Sequence, residues 1–152
     1  MKKIPSLKER LLEDMKTAMK NKDKERLSVI RMARASIKNV EIEKRKDLDD
    51  QEVIDVLAKE VKQRRDSITE YEKIGKDDAV EKLKREIEIL SEYLPKQLTR
   101  EEVEELIEDV IIKVGASSMA DMGKVMGTIM PKIRGKADGR LVNQIVKEKL
   151  SS

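Results

Sequence analysis

Apolar residues recur along the chain at spacings of three and four, and nowhere alternate with polar ones over the length of a strand. This periodicity predicts an all-α protein. Ser6 and Glu9 form a capping-box pattern ahead of a helix that aligns Leu7, Leu11, Leu12, Met15, Ala18 and Met19 on one face. Asn21-Lys22-Asp23 ends it. A second helix over about 24–46 buries Leu27, Ile30, Ala33, Ile37 and Val40, and lines its other side with Arg31, Arg34 and Lys38, which suit solvent or a phosphate. Beyond the turn at Asp47-Leu48-Asp49-Asp50, Asp49 and Glu52 cap a third helix with the seam Ile54, Leu57, Val61, Ile68 and Tyr71. Arg64 or Arg65 interrupts this seam, and its long stem is expected to pack across the groove while the guanidinium reaches water or a carboxylate. Gly75 stops the helix, and Asp78 with Glu81 opens a fourth, carrying Leu83, Ile87, Leu90 and Leu94 up to Pro95.

Pro95 cannot continue a helical ladder, and Thr99 with Glu102 starts a fresh capping box, so 95–98 reads as a hinge. Helix five places Val103, Leu106, Ile107, Val110, Ile111 and Val114 on a wide stripe and stops at Gly115. Ser118 caps helix six, whose Met119, Met122, Met126, Ile129 and Met130 share a face expected to lie in the core. Pro131 and Gly135 close it. Asp138 caps the last helix, with Leu141, Val142, Ile145, Val146 and Leu150 buried. The expected organisation is a four-helix N-terminal domain, 1–94, followed by a small three-helix module, 99–150.

Composition sharpens this by what it lacks. The chain has no Cys, His, Trp or Phe and only Tyr71 and Tyr93 as aromatics, which excludes disulfides, Cys/His metal centres, imidazole acid–base catalysis and thiol nucleophiles. No catalytic residue, metal site or cofactor is expected. Asp47, Asp49 and Asp50 lack the spacing of a calcium loop and read as caps. The longest aliphatic run, Val110-Ile111-Ile112, is far short of the roughly 20 residues of a membrane span, and the N-terminus lacks the apolar core of a signal peptide. A cytoplasmic protein without a membrane partner is the default expectation.

Charge changes the picture further. Lys and Arg total 34 against 31 Asp and Glu, yet 101–109 holds six acids while 113–152 carries a net +5. Within the latter, Gly123-Lys124-Val125-Met126-Gly127 and Pro131-Lys132-Ile133-Arg134-Gly135-Lys136-Ala137-Asp138-Gly139-Arg140 combine exposed backbone with cations, and the last helix adds its N-terminal dipole at Asp138. A nucleic-acid backbone is the natural ligand class. A nucleotide-binding P-loop is not, because Glu70, Ser118 and Met130 stand where its first Gly belongs and no Ser or Thr follows Lys76, Lys124 or Lys136. Gly123 and Gly127 read most simply as a smooth face for a neighbouring helix. The second module has no aromatic side chain, which argues against stacking of unpaired bases and for structured RNA held by shape and phosphate.

Four strings carry a family resemblance: Tyr93-Leu94-Pro95-Lys96-Gln97-Leu98, Asp121-Met122-Gly123-Lys124-Val125-Met126-Gly127, Gly135-Lys136-Ala137-Asp138-Gly139, and Val142, Ile145, Val146, Lys147 and Leu150 in the last helix. With them the chain resembles the GatB/YqeY family, which comprises stand-alone YqeY proteins and the C-terminal portion of the B subunit of the tRNA-dependent amidotransferase. The resemblance implies two helical domains, the second akin to a tail that docks on the tRNA body. It also implies a link to a glutamine-dependent carbon–nitrogen ligase, whose separate catalytic domain has no counterpart in these residues. The expected function is a non-catalytic tRNA-binding or tRNA-linked adaptor. Lys124, Lys132, Arg134, Lys136, Arg140 and Lys147 would contact RNA, and Gly123, Gly127, Gly135 and Gly139 would allow close packing or backbone approach. The alternatives are a helical protein-interaction scaffold and an accessory to the amidotransferase, with a protein partner in tRNA aminoacylation or amidation.

Overall fold

Side chains that accept from the free N–H groups of a first turn decide where most of these helices begin. The computed structural model describes residues 4–151, and among these the regular structure is seven α-helices and one short 3-10 turn, with no strand. The all-α expectation holds. The chain divides into two units, Met1–Leu94 and Pro95–Ser152.

The first unit contains α1 (Leu7–Lys20), α2 (Lys24–Lys44), α3 (Asp50–Lys73) and α4 (Asp77–Ser91). The Glu9 N–H donates to Ser6 Oγ at 3.1 Å, but the reciprocal half of the expected box is not formed. Another early donor, the Leu7 N–H, is taken by Asp50 Oδ1 at 3.0 Å, a contact from the start of α3 that local pattern cannot reveal. At α3 the capping box is complete, with Glu52 N–H on Asp49 Oδ1 at 2.9 Å and Asp49 N–H on Glu52 Oε1 at 3.3 Å. α4 begins one residue before the expected Asp78, without a side-chain cap; Asp77 and Asp78 meet its N-terminal dipole instead. Gly75, at φ +69°, turns the chain between α3 and α4.

The core of this unit joins Leu7 and Leu11 of α1, Val29, Ile30, Ala33 and Ile37 of α2, Val53, Leu57 and Val61 of α3, and Ile89, Leu90 and Tyr93 at the end of α4. Leu27, Val40, Ile54, Ile68, Tyr71, Leu83 and Ile87, expected inside, are half-buried, and Met19 at the end of α1 is exposed. Arg64, not Arg65, enters the core. Its Nε donates to Glu86 Oε1 at 2.9 Å and its Nη1 to Glu60 Oε2 at 2.9 Å, while Ser36 Oγ donates to Glu60 Oε1 at 2.7 Å. The network ties α2, α3 and α4 together, and it takes the carboxylate alternative expected for this arginine. Elsewhere in the unit, the Tyr93 hydroxyl donates to the Asp14 carboxylate and the Arg10 guanidinium lies 5.1 Å from the Tyr93 ring centre.

The second unit contains α5 (Arg100–Val114), the 3-10 turn Met119–Asp121, α6 (Met122–Ile133) and α7 (Gly139–Ser151). Thr99 and Glu102 exchange both capping bonds at 3.1 Å. Val103, Ile107 and Val110 of α5 meet Val125, Ile129 and Ile133 of α6 and Val142, Ile145, Val146 and Leu150 of α7. The expected Met face is therefore displaced. Met122 and Met126 flank the core and Met119 and Met130 are exposed, while stiff β-branched side chains take its centre. Pro131 does not end α6, which runs on to Ile133. Its ring would crowd the carbonyl four residues back, and that residue is Gly127, which has no side chain to add to the crowding.

Candidate nucleic-acid interface

The corner between α6 and α7 is where the sequence concentrates positive charge, and its backbone is held from outside the loop. Gln97 Nε2 donates to the Gly135 carbonyl at 2.8 Å and to the Pro95 carbonyl at 2.8 Å, and the Leu98 N–H donates to the Lys136 carbonyl at 2.8 Å. Within the loop, the Lys136 N–H returns to the Ile133 carbonyl at 2.8 Å, and Gly135 adopts φ +77°, a conformation that favours glycine. Lys132 near the end of α6, Arg134 and Lys136 in the loop, and Arg140 in the first turn of α7 are thus displayed around a loop fixed at its middle. All four are exposed.

Helical geometry sorts the remaining cations. Lys124, Thr128 and Lys132 are spaced by four residues and form one row on α6, beside the buried row Val125, Ile129 and Ile133. Arg140, Asn143 and Lys147 form a comparable row on α7, with Lys147 exposed. Lys149, by contrast, is drawn to α5, where its ammonium pairs with Glu108 at 2.7 Å, and Arg100 pairs with Glu104 at 2.9 Å and Glu148 at 3.3 Å. The acidic helix therefore neutralises part of the basic segment. Among the described residues Lys132, Lys136 and Lys147 form no such pair.

At the start of α7 Asp138 caps the helix as expected. The Arg140 N–H donates to Asp138 Oδ1 at 3.0 Å, so the cap itself holds a negative charge where a phosphate would use the dipole. At the other end of α6, Asp121 accepts from the N–H groups of Ser117 at 2.8 Å and Ser118 at 3.4 Å, which hold its carboxyl below its ordinary value. Lys124 is among the nearby charges that add to this.

The four glycines separate into distinct roles. Gly135 makes the left-handed turn, and Gly139 lies in ordinary contact with the Met130 methyl, 3.8 Å from where a Cβ would be. Gly123 and Gly127 are exposed, and a Cβ on either would meet nothing within 4 Å. Among the described residues no neighbouring helix packs there, contrary to expectation. Both glycines instead leave a bare strip of backbone on α6, one residue from Lys124 at one end and with Pro131 following one turn beyond Gly127. Gln97 is the residue that sequence reasoning passed over. It belongs to the first of the four family strings but carried no expected role, and only the spacing of a polar amide after Pro95 hinted at one.

Residues 8–150 match the family model YqeY, described as Yqey-like protein. Relatives named "Altered inheritance of mitochondria protein 41, mitochondrial" are 48% identical over 84 residues in Kluyveromyces lactis, 44% over 85 residues in Lachancea thermotolerans, and 38% over 82 residues in Saccharomyces cerevisiae strain YJM789. These matches cover 53–55% of this chain and 44–46% of the relatives, so the matched segment spans less than half the length of each. The relatives are named mitochondrial proteins, which overturns the expectation of a cytoplasmic one. That expectation rested on missing apolar stretches. Among the described residues no helix is long and apolar enough to cross a membrane, but this does not distinguish one aqueous compartment from another.

Proposed function

Because the chain belongs to the YqeY-like family, we propose that it is a non-catalytic, tRNA-linked adaptor that docks structured RNA on the α6–α7 corner of its second unit. The observation that carries this reading is the exposed cationic set Lys132, Arg134, Lys136 and Arg140, gathered around an α6–α7 loop pinned through Gly135 and Lys136 by Gln97 and Leu98. A fixed loop presents its charges without first being ordered, which favours a rigid, phosphate-lined surface over a flexible strand. The absence of aromatic side chains from residues 95–152 points the same way, since unpaired bases are held largely by stacking. The bare backbone at Gly123 and Gly127 lets a phosphate chain approach α6 closely between Lys124 and the corner.

The test is tRNA affinity measured across ionic strength for the wild type and for the fourfold variant Lys132→Gln, Arg134→Gln, Lys136→Gln, Arg140→Gln. Each phosphate that the variant no longer neutralises should flatten the slope of log affinity against log salt by about 0.7–0.9. An unchanged slope and affinity would remove the interface assignment. A protein-docking role for the same face is the second reading, favoured by Met119 and Met130, which stand exposed in and beside α6. Recovery of a protein after nuclease treatment, with no RNA retained and no tRNA affinity, decides for it.

A further inference from the structure

A second site lies in the first unit and owes nothing to the α6–α7 corner. α1 and α2 run side by side with Lys8 against Glu41 at one end and Met15 against Arg34 toward the other. Between them is a groove of about 670 Å³, within the roughly 300–1,000 Å³ range of small-molecule sites.

Its walls are not alike. On α2, Arg31, Arg34 and Lys38 share one face and line the groove over about 10 Å of helix, at about 1.5 Å per residue. Among the described residues Arg31 and Lys38 form no ion pair, and the contact Arg34 makes is with the Met15 thioether, a weak acceptor, at 3.2 Å. The floor is apolar, from Leu11, Leu12 and Ile37. The far end is acidic. Glu41 accepts from Lys8 at 2.5 Å and from the Leu48 N–H at 2.9 Å, which hold its carboxyl below its ordinary value, and Asp47 beside it is almost fully exposed.

We propose that this groove binds a small molecule carrying two or more linked phosphates, with the phosphates on Arg31, Arg34 and Lys38. Three cations on one wall match several negative charges rather than one, and two guanidinium forks suit phosphate oxygens. The apolar floor suits a flat organic body behind those phosphates, and Asp47 suits a donor at its far edge, an arrangement that a nucleoside polyphosphate supplies in order. A continuing nucleic-acid strand fits worse, because its next phosphates would run onto Glu41 and Asp47. Free polyphosphate shares the anionic part of this chemistry.

The full chain, labelled with nitrogen-15, is titrated by NMR with adenosine triphosphate, with inorganic tripolyphosphate and with adenosine. Both triphosphates should shift amides of residues 8–12 and 31–41, and adenosine should not. Tighter binding of adenosine triphosphate assigns the site to a nucleotide, and equal binding assigns it to free polyphosphate. Arg31→Gln with Arg34→Gln should weaken binding at least tenfold, as should Lys38→Gln in part, at an unchanged melting temperature. Lys132→Gln with Lys136→Gln should leave it unchanged, which separates this site from the RNA reading. No shift at 31–41 with millimolar triphosphate, full binding by the arginine variant, or shifts there with RNA alone would overturn the proposal.

Discussion

Glu86→Ala tests the buried charge network of the first unit. Arg64 and Glu86 side chains are each 9% exposed, so deleting the carboxylate leaves a guanidinium that water cannot readily reach. Removing one partner of a buried pair costs about 3–5 kcal/mol. Glu60 still accepts from Arg64 at 2.9 Å and is itself 19% exposed, which places the loss at the lower end, about 3 kcal/mol. For a unit of this size that corresponds to roughly 12 °C or more in melting temperature, at about 4–8 °C per kcal/mol. The double variant Arg64→Leu with Glu86→Leu removes both charges, so it should return to within about 1 kcal/mol of the wild type. Glu60, left with Ser36, is exposed enough to be hydrated. Urea unfolding followed by far-ultraviolet circular dichroism measures all three proteins. A single variant that loses less than about 1 kcal/mol, or a double variant no better than the single, would refute the idea that an uncompensated charge is what destabilises.

Two further outcomes follow from the geometry. Gln97→Ala should lower tRNA affinity up to about tenfold through loss of the bond to Gly135, worth about 0.5–1.5 kcal/mol, while the salt slope stays as in the wild type because no charge is removed; a flatter slope would mean that Gln97 does not act by positioning the loop. Burial, and then the bond to Asp14, raise the Tyr93 pKa above its ordinary value near 10, so its contribution to stability is fully present below about pH 10 and is lost as the pH rises beyond it. Tyr93→Phe should lack that alkaline loss, and urea midpoints of both proteins at pH 8 and pH 11 check it.

Features that depend on neighbours in sequence are legible in the letters of the chain. The boxes at Asp49–Glu52 and Thr99–Glu102 and the left-handed stop at Gly115 sit where short-range pattern puts them, because each is complete within a few residues. Features that depend on another segment are not. Ser6 and Glu9 carry the right letters, yet the box is half formed while Asp50 supplies a donor's partner from 43 positions away. On α6 the letters themselves are ambiguous. Met122, Met126 and Met130 run alongside Val125, Ile129 and Ile133, so periodicity alone admits either row, and packing against α5 and α7 chose the branched one. The basic residues of the corner can be picked out from sequence, but not that Lys149 pairs with Glu108 or that Gln97 holds the loop.

The two tyrosines, Tyr71 and Tyr93, both belong to the first unit, and the chain has no tryptophan. Near-ultraviolet absorbance, dichroism and intrinsic fluorescence therefore report on that unit alone, with Tyr93 as the buried reporter. The second unit is optically silent. If the units melt at different temperatures, the aromatic signal will follow one transition while the peptide signal follows both. A tryptophan placed on the open face of α6, at Gly127, would give the silent unit a lamp of its own and put it where RNA is proposed to land.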